Sequence, residues 1–328
     1  MMELSFLLNR LRFLLVSMLL LALPASAQAV WPAKPIHWVV PFAAGGPADS
    51  LARMLGAKMA QDLGQQIIID NRAGAGGTLG AAEVARAKPD GYTWLFSSTG
   101  ALVIFPAISS NLPYDPERDL IAVGQAVVTP MVIVTAAQSR FNSLDDLIRE
   151  ARARPGQLNF ASAGSGTTTQ LGIEMLKRDA GIAMTHIPYR GAAPAITDLI
   201  AGSPELMLAD LPAVMSFIKA GRLKPLAITW PKRSPILPNL PTTAEYGLKE
   251  VVSSTWYGLL APAKTPPDLL MRLNAAMNKA LQHAEIQTYL QAQGVEAVGG
   301  SAAEFASFIR LEAIRLGGIA KAVGASVD

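Results

Sequence analysis

The architecture is indicated first by residues 36–63, which read IHWVVPFAAGGPADSLARMLGAKMAQDL. The apolar run at 36–42 is typical of a buried strand, a Gly-Gly-Pro break follows at 45–47, and apolar residues then recur at helical spacing over 51–63. The same strand–loop–helix order recurs farther along the chain. The sequence therefore predicts an α/β protein whose mostly parallel sheets are flanked by helices.

Other segments extend this pattern. We expect strands at 65–70, 92–97, 121–135, 158–162, 184–188, 205–209, 223–229 and 255–261, and helices at 78–87, 144–153 and 193–200 and from the end of the 163–169 loop to 179. Three further helix starts carry capping patterns: Ser143 with Asp146, Ser301 with Glu304, and Thr265 as a cap with Pro266 at the first helical position.

The first 27 residues are predicted to be an export signal. Arg10 and Arg12 supply a positive start, 13–23 is an apolar run, and Ala25-Ser26-Ala27 has the small-residue pattern of a cleavage site. The apolar run is shorter than the ~20 residues that a membrane-spanning helix needs. We therefore expect cleavage near Ala27 and a mature protein that is soluble in the periplasm.

Composition argues against several classes of function. The 328 residues contain no cysteine and three histidines, which excludes disulfides and thiolate chemistry and disfavours a histidine-rich metal site. The chain has 28 basic and 25 acidic residues, and a net charge of +3 makes no basic face for nucleic acid. We expect no metal, no cofactor and no nucleic-acid partner, and a monomeric protein.

Two glycine-containing loops are the strongest candidates for a binding site. The first is 42–46 and the second is 162–169, which reads SAGSGTTT. Each joins a predicted strand to a predicted helix, so backbone N–H groups and the positive end of a helix dipole are available to an anion at the carboxyl ends of the strands. Asp49 is expected to cap its own helix. Trp256 and Tyr257 fit either the core or the wall of a ligand site.

Catalytic patterns are incomplete in this sequence. Residues 74–80 imitate a dinucleotide-binding loop but have Leu79 where the third glycine belongs. Ser216 and Lys219 have the spacing found in penicillin-binding enzymes, without the companion motifs. No acid–base pair can be assigned to His186. The pattern favours a binding protein over an enzyme.

Nine short motifs follow one another from residue 31 to the end of the chain. They are WPAKPI at 31–36, VPFAAGG at 40–46, NRAGAGG at 71–77, PDGYT at 89–93, LPYDP at 112–116, ASAGSGT at 161–167, HIPYRG at 186–191, KRSP at 232–235 and WYGLLAP at 256–262. Their order resembles that of the Bug family, the periplasmic solute-binding receptors of tripartite tricarboxylate transporters.

The resemblance implies a two-lobe periplasmic-binding-protein fold that closes on its solute by hinge bending. It implies that lobe 1 comprises 28–126 and 254–328, that lobe 2 comprises 127–253, and that a small organic carboxylate binds between them. A tripartite tricarboxylate-type membrane transporter or a sensor protein is the implied partner. The residues expected to bind the ligand are Phe42, Ala43, Ala44, Gly45, Gly46, Ser98, Ser162, Ala163, Gly164, Thr167, Thr168, Tyr189, Asp210 and Trp256.

Two positions depart from the pattern of the family. Asp210 stands where asparagine is frequent, so a side chain that only accepts hydrogen bonds when ionised replaces one that also donates. Beside a bound carboxylate it repels the ligand or takes up a proton. Trp230 stands where a small residue is common, which predicts a narrower or aromatic-lined cleft. The alternative functions are an exported enzyme on the same frame and a signalling module with a vestigial cleft.

Overall fold

The computed structural model describes residues 31–322 and 324–325. The predicted export signal at 1–27 lies outside these residues. The chain from Lys34 onward belongs to one compact unit. Within the described part of the chain, no helix combines the length and the apolar character that crossing a membrane requires.

Strands and helices alternate along the described residues. The strands are β1 (Ile36–Val40), β2 (Ile67–Asn71), β3 (Thr93–Ser98), β4 (Leu120–Ala136), β5 (Asn159–Ser162), β6 (Thr185–Pro188), β7 (Leu206–Asp210), β8 (Leu223–Ile228), β9 (Ser254–Pro262) and β10 (Glu296–Gly299). The α-helices are α1 (Pro47–Leu63), α2 (Thr78–Ala85), α3 (Phe105–Ile108), α4 (Pro116–Asp119), α5 (Leu144–Ala153), α6 (Thr168–Ala180), α7 (Ala192–Ala201), α8 (Leu211–Lys219), α9 (Pro267–Leu281), α10 (Ala284–Gln293) and α11 (Ala302–Ala322). A π-helix spans Gly100–Ile104, and short 3₁₀ helices span Ala75–Gly77 and Ala244–Tyr246.

The strands form a mixed sheet in the order β2-β1-β3-β9-β4-β7-β5-β6, and β8 and β10 also pair with β4. Strands joined by helical crossovers run parallel, as β1 does with β2 and β3, and as β5 does with β6 and β7. The pairs made by β4 and the pair β3–β9 are antiparallel. The predicted α/β class is confirmed, and antiparallel pairing is more extensive than the strand–helix alternation indicated.

The 17-residue strand β4 takes part in both groups of strands. Its first part pairs with β9, from Leu120 opposite Pro262 to Pro130 opposite Ser254. Its last part pairs with β7 and β8, beginning at Met131 opposite Asp210. One strand therefore connects the two groups, and the change of partners falls between Pro130 and Met131.

The end of β4 is apolar on both faces because packed side chains cover both. Met131 and Ile133 belong to one buried cluster, with residues such as Phe160 and Leu208. Val132 and Val134 point the other way, into a second cluster. Successive side chains of a strand alternate between faces, so a continuous apolar run fits a strand covered on both sides. A third cluster lies around β1, β3, β9 and α11.

Two of the predicted helix caps are confirmed. The Ser143 hydroxyl accepts the Asp146 N–H at 3.1 Å at the start of α5. At the start of α11, the Ser301 hydroxyl accepts the Glu304 N–H at 3.2 Å, and the Glu304 carboxylate accepts the Ser301 N–H at 2.7 Å. This second arrangement is a complete capping box, in which both residues satisfy a backbone donor.

The predicted cap of α9 is wrong by one residue. The helix begins at Pro267, Pro266 occupies the capping position, and the Thr265 hydroxyl instead donates to the Pro262 carbonyl at 2.8 Å. A residue that precedes proline is driven out of the helical region, so Pro267 forces Pro266 into an extended conformation. Proline at the first helical position sacrifices no hydrogen bond.

Candidate functional site

The first loop, 42–46, projects from the end of β1. Ala43, Ala44 and Gly45 are exposed, and Gly45 has φ +80°, which favours glycine. The Gly45 N–H donates to the Asp49 carboxylate at 2.9 Å. Among the described residues, the N–H groups of Ala43 and Ala44 have no hydrogen-bond partner. They remain available to an anion.

Asp49 has a structural role, but the prediction that it caps its own helix is wrong: in the described structure α1 has no side-chain cap, and the Asp49 carboxylate instead accepts the Gly45 N–H of the first loop. Its side chain is buried, and Arg53 pairs with it at 2.9 Å. Burial alone raises the pKa of Asp49, but the hydrogen bonds from Arg53 and from the Gly45 N–H outweigh it and lower the pKa. Arg53 also donates to Asn71 at 3.1 Å, and the Asn71 amide donates to the Phe42 carbonyl at 3.1 Å. The loop is thereby tied to the end of β2.

The second loop, 162–169, begins at the end of β5 and is shaped by side chains of the loop itself and of Gln170 in the first turn of α6. The Ala163 N–H donates to the Thr169 hydroxyl at 2.9 Å, and the Gly166 N–H donates to the side-chain amide oxygen Oε1 of Gln170 at 2.8 Å. The Gly164 N–H donates to the Ser162 hydroxyl at 3.1 Å. In the described structure, the N–H groups left without a partner in this loop include those of Ser165 and Thr167.

His186, on the neighbouring strand β6, supports the start of the second loop. Its Nε2 lies 2.6 Å from the Ser162 hydroxyl, and its ring stacks on Phe160 with centroids 4.9 Å apart. Burial, with a smaller contribution from the charge of Lys177, lowers the pKa of His186 to about 4. The ring is therefore neutral at pH 7, and its Nε2 shares one hydrogen bond with the Ser162 hydroxyl, which also lies 3.0 Å from the Gly164 carbonyl.

The Ser162–His186 pair also has the spacing of a nucleophile and its base. Ser162 is fully buried, however, and its hydroxyl serves the loop. In the part of the chain that the structure describes, no carboxylate hydrogen-bonds the other ring nitrogen of His186 to orient it. The contacts of His186 with Ser162 and Phe160 therefore indicate a structural role, in which His186 supports the second loop.

The two loops approach each other along β9. The Thr168 hydroxyl, at the start of α6, lies 2.9 Å from the Thr255 hydroxyl of β9. Two residues on, the Tyr257 ring packs edge-on against Phe42 with centroids 6.3 Å apart, and stacks on Phe96 at 5.9 Å. Side chains two apart on a strand share a face. One face of β9 therefore touches both loops.

Asp210 ends β7 beside this face. Its Oδ2 accepts the Tyr257 hydroxyl at 3.4 Å, and its Oδ1 is buried without a partner among the described residues. Burial raises the pKa of Asp210 to about 6, against the opposing effect of the nearby Thr255 and Tyr257 hydroxyls. Burial of the Tyr257 hydroxyl raises its pKa well above the ordinary value, and the nearby Asp210 carboxylate contributes a smaller rise.

Further polar groups line the neighbouring strand ends. The buried hydroxyls of Ser97, Thr99 and Thr129 have no partner in the described structure. Thr129 lies opposite Thr255 in the β4–β9 pairing, and Ser98 lies opposite Tyr257 in the β3–β9 pairing. Buried hydroxyls are ordinarily hydrogen-bonded, by protein, water or ligand. Thr129 therefore lies on the same face as Thr255 and Tyr257 and has unused capacity to bind a polar molecule, whereas strand alternation puts Ser97 on the face opposite Ser98.

The structure separates the predicted ligand residues into groups. The first loop, Thr168 and Asp210 all contact the face of β9 that carries Thr255 and Tyr257, and Ser98 lies opposite Tyr257. The N–H groups of Ala163 and Gly164 bond within the second loop. The Tyr189 hydroxyl donates to Asp198 at 2.9 Å.

Trp256 points away from this group. Its side chain is fully buried and packs against Phe305 and Phe308, each with centroids 5.5 Å away. No signal in the sequence indicates Thr129 or Thr255. Ser165 lies within the predicted second loop, and Tyr257 is one of the two aromatic residues whose sequence context fits either the core or the wall of the site. Strand alternation puts Trp256 and Tyr257 on opposite faces, but alternation alone does not tell which face meets the loops. Trp230 is partly buried and packs against two of the hydrophobic clusters.

Among the described residues, no group of three or more His, Asp or Glu side chains is arranged to hold a metal ion. The polar groups of the site are backbone N–H donors, hydroxyls and one carboxyl. Such groups bind a small polar molecule by hydrogen bonding.

Comparisons with known proteins agree with this picture. Residues 51–325 match the family described as "Tripartite tricarboxylate transporter family receptor". Protein BugT of Bordetella pertussis is 37% identical over 308 residues, which cover 94% of each chain.

Two solved structures from R. palustris are also similar. Rpa4515 with adipate is 33% identical, has a TM-score of 0.86, and aligns over 90% of this chain and 99% of its own. MatC with bound malate is 31% identical, has a TM-score of 0.82, and aligns over 88% of this chain and 99% of its own. These matches confirm the predicted two-lobe binding-protein fold and the resemblance to the Bug family. The chain belongs to the family of periplasmic solute receptors of tripartite tricarboxylate transporters.

Proposed function

We propose that this receptor captures a small organic carboxylate between the two loops and the Tyr257 face of β9. The observation that carries the proposal is the convergence of both loops on β9, through the Phe42–Tyr257 and Thr168–Thr255 contacts. The bound adipate of Rpa4515 and the bound malate of MatC support the same ligand class. The chain then delivers its solute to a tripartite tricarboxylate-type transporter or reports it to a sensor.

In this proposal, backbone N–H groups bind the carboxylate by donating hydrogen bonds to it. Ala43 and Ala44 offer unpaired donors in the first loop, and Ser165 and Thr167 offer them in the second. Each loop leads into a helix, α1 or α6, whose N-terminal end carries partial positive charge. A carboxylate therefore needs no lysine or arginine to be held there.

We assign the lobes as 28–126 with 254–328, and 127–253. The change of β4 partners between Pro130 and Met131 supports a crossing near the first boundary. The start of β9 at Ser254 supports the second. Bending of these two connections closes the lobes on the solute. Tyr257 replaces Trp256 as the aromatic wall, because Trp256 packs in the core.

The site belongs to a protein exported to the periplasm, after removal of the segment that ends near Ala27. The periplasmic character of the family supports this location. Determination of the N-terminal residue of the protein from a periplasmic extract tests it. A first residue close to position 28 is expected, and an intact Met1 in the mature protein would contradict it.

A thermal-shift panel of small mono- and dicarboxylates tests the ligand class. Ligand at about 100 times Kd stabilises the bound form by roughly 2.7 kcal/mol. We expect at least one carboxylate to raise the melting temperature, while the corresponding amides, which lack the charge, do not. Equal shifts with acids and amides would contradict carboxylate recognition. Recovery of each acid unchanged after incubation distinguishes binding from turnover.

A further inference from the structure

Asp210 is the feature of the site that carboxylate binding does not use. A carboxyl group beside a bound carboxylate repels it, unless one of the two is protonated or a donor lies between them. Yet Asp210 is placed where the contacts of both loops meet, and its Oδ1 is buried without a partner in the described residues. A buried acceptor without a donor is costly, so a bound solute that supplies one gains from doing so.

Among the described residues, no cation lies close enough to Asp210 to neutralise it. Across the strands it faces Met131 of β4, and the polar groups within reach on β9 are the hydroxyls of Thr255 and Tyr257. The charged groups of the helices packed on β7 are engaged elsewhere or lie at their far ends: Glu174 pairs with Lys177 on α6, Asp198 accepts from Tyr189 on α7, and Lys219 ends α8.

We propose that Asp210 determines the specificity of the receptor by accepting a hydrogen bond from a hydroxyl or ammonium group carried by the solute. This inference rests on the proposed function. The loops hold a carboxylate that most small organic acids share, and Asp210 selects those that bear a donor on a neighbouring carbon. Tyr257 positions Asp210 by donating to its other oxygen.

Asparagine at this position reverses the preference. Its amide has the shape of the carboxyl group, but it carries no charge and donates as well as accepts. It removes repulsion of a second carboxylate, so Asp210→Asn tightens binding of unsubstituted dicarboxylates. It also removes a charged acceptor for the solute's donor. Hydrogen bonds to charged groups contribute about 1.5–3 kcal/mol, or roughly 10- to 100-fold in affinity.

Calorimetric titration with matched solutes tests the proposal at pH 7.5. The probes are succinate, malate and aspartate, and their one-carbon-longer equivalents glutarate, 2-hydroxyglutarate and glutamate, with both enantiomers of each chiral acid. We expect the wild type to bind a hydroxyl- or amino-bearing acid roughly 10- to 100-fold more tightly than its unsubstituted analogue. Preference for the hydroxy acid or for the amino acid identifies the donor.

Two variants complete the experiment. Asp210→Asn is expected to lose most of this ratio and to gain affinity for succinate or glutarate. Asp62→Asn removes the same charge from an exposed pair with Lys279 and is expected to leave the ratio unchanged. An unaltered ratio in Asp210→Asn, with carboxylates still bound, overturns the assignment of Asp210. Absence of binding of every carboxylate to the wild type overturns the proposed function instead.

A pH series gives an independent readout. Because the pKa of Asp210 is raised to about 6, acidification from pH 7.5 to 5.5 protonates it and turns it into a donor. The unsubstituted acid is then expected to bind the wild type more tightly relative to Asp210→Asn, in which position 210 does not titrate. Parallel pH profiles of the two proteins contradict the inference.

Discussion

The two loops of the site differ in what holds them. The first loop has one charged anchor, Asp49 with Arg53, and is otherwise exposed. The second loop is braced by hydroxyl and amide side chains that take up three of its own N–H groups. Each loop keeps two N–H groups without a partner in the described structure, those of Ala43 and Ala44 in the first loop and those of Ser165 and Thr167 in the second. The second loop also has more bonds of its own that hold its shape without any solute.

This difference gives the two loops, whose sequences are similar, different roles in the site. Both loops are rich in small residues, and both lead from a strand into a helix. In the second, Ser162, Thr169 and Gln170 consume the N–H groups that glycine exposes. We infer that the first loop, held by one charged anchor, is the more easily displaced of the two, and that the second loop is a rigid wall on the opposite side of the site.

The largest expected effect is that of Gly45→Val in the first loop. A β-branched residue at φ +80° displaces the loop, and loss of two hydrogen bonds to an anion costs about 3 kcal/mol, or about 100-fold in affinity. Gly156→Val is the matched control, because Gly156 has φ +77° and, like Gly45, nothing within 4 Å of an added Cβ. Titration should show lost binding in Gly45→Val alone, with similar losses of unfolding free energy in both variants.

Unchanged affinity in Gly45→Val would show that the first loop does not bind the solute. Equal loss of affinity in both variants would show that the strain lowers affinity through global stability. Gly45→Val would then give no evidence that the first loop binds the solute.

The next effect in size is the response of the second loop to acid. The pKa of His186 is lowered to about 4, so the folded chain binds fewer protons than the unfolded chain between pH 6.5 and pH 4. The stabilisation is present above pH 6.5 and is lost as the pH falls through this window, by about 2 kcal/mol for a partly buried group.

Urea denaturation at several pH values checks this prediction. Between pH 7 and pH 4, the unfolding free energy of the wild type should fall by about 2 kcal/mol more than that of His186→Gln. Hydrogen exchange of Ala163 and Gly164 should accelerate with acid more than that of Gly45, after correction for intrinsic rates. An equal acceleration in both loops would contradict the claim that protonation of His186 destabilises the second loop specifically.

A smaller effect is expected when the anchor of the first loop is weakened. Asp49→Asn replaces charged hydrogen bonds to Gly45 and Arg53 with neutral ones and should cost about 1.5 kcal/mol of unfolding free energy. Since the loop also loses its position, solute affinity should fall by about tenfold.

The control is Asp146→Asn on α5. Asp146 likewise accepts a backbone N–H four residues earlier and pairs with an arginine on the same helix. Because its ion pair is exposed, Asp146→Asn should lose less stability than Asp49→Asn, and it should lose no affinity. Loss of affinity in both variants would show that Asp49 has no particular role in the site.

The smallest effect is expected in the second loop. Thr169→Val removes the oxygen that accepts the Ala163 N–H, at a cost of about 1 kcal/mol, and lowers affinity by about fivefold. Thr197→Val serves as control, since Thr197 bonds a carbonyl of α7 on the exposed side. An affinity loss in Thr169→Val as large as that in Gly45→Val would reverse our ranking of the loops.

Much of this arrangement could be predicted from local sequence. The strand–Gly loop–helix junctions, the Ser143 cap and the Ser301–Glu304 box depend on neighbouring residues, and the structure contains them. The start of α9 was misjudged by one residue because either of two adjacent prolines could open the helix. The ligand residues themselves stay predictions.

Relations across the chain could not be predicted in the same way. The antiparallel pairing of β4 with β9, and the contact of Asp210 with Tyr257, join segments that are distant in sequence. Nothing in the run at 254–262 shows which face meets the loops, because its side chains are buried on both sides of the strand. The unpaired oxygen of Asp210 becomes visible only when its surroundings are assembled.

Native mass spectrometry of the mature protein tests the central claim most directly, both as purified and after incubation with the carboxylate panel. We predict one acid bound per chain, released on denaturation with its mass unchanged, and absent from Gly45→Val but present in Gly156→Val. A bound solute without an acidic group, or no binding of any acid to the wild type under either condition, would contradict the claim that the two loops form a carboxylate receptor.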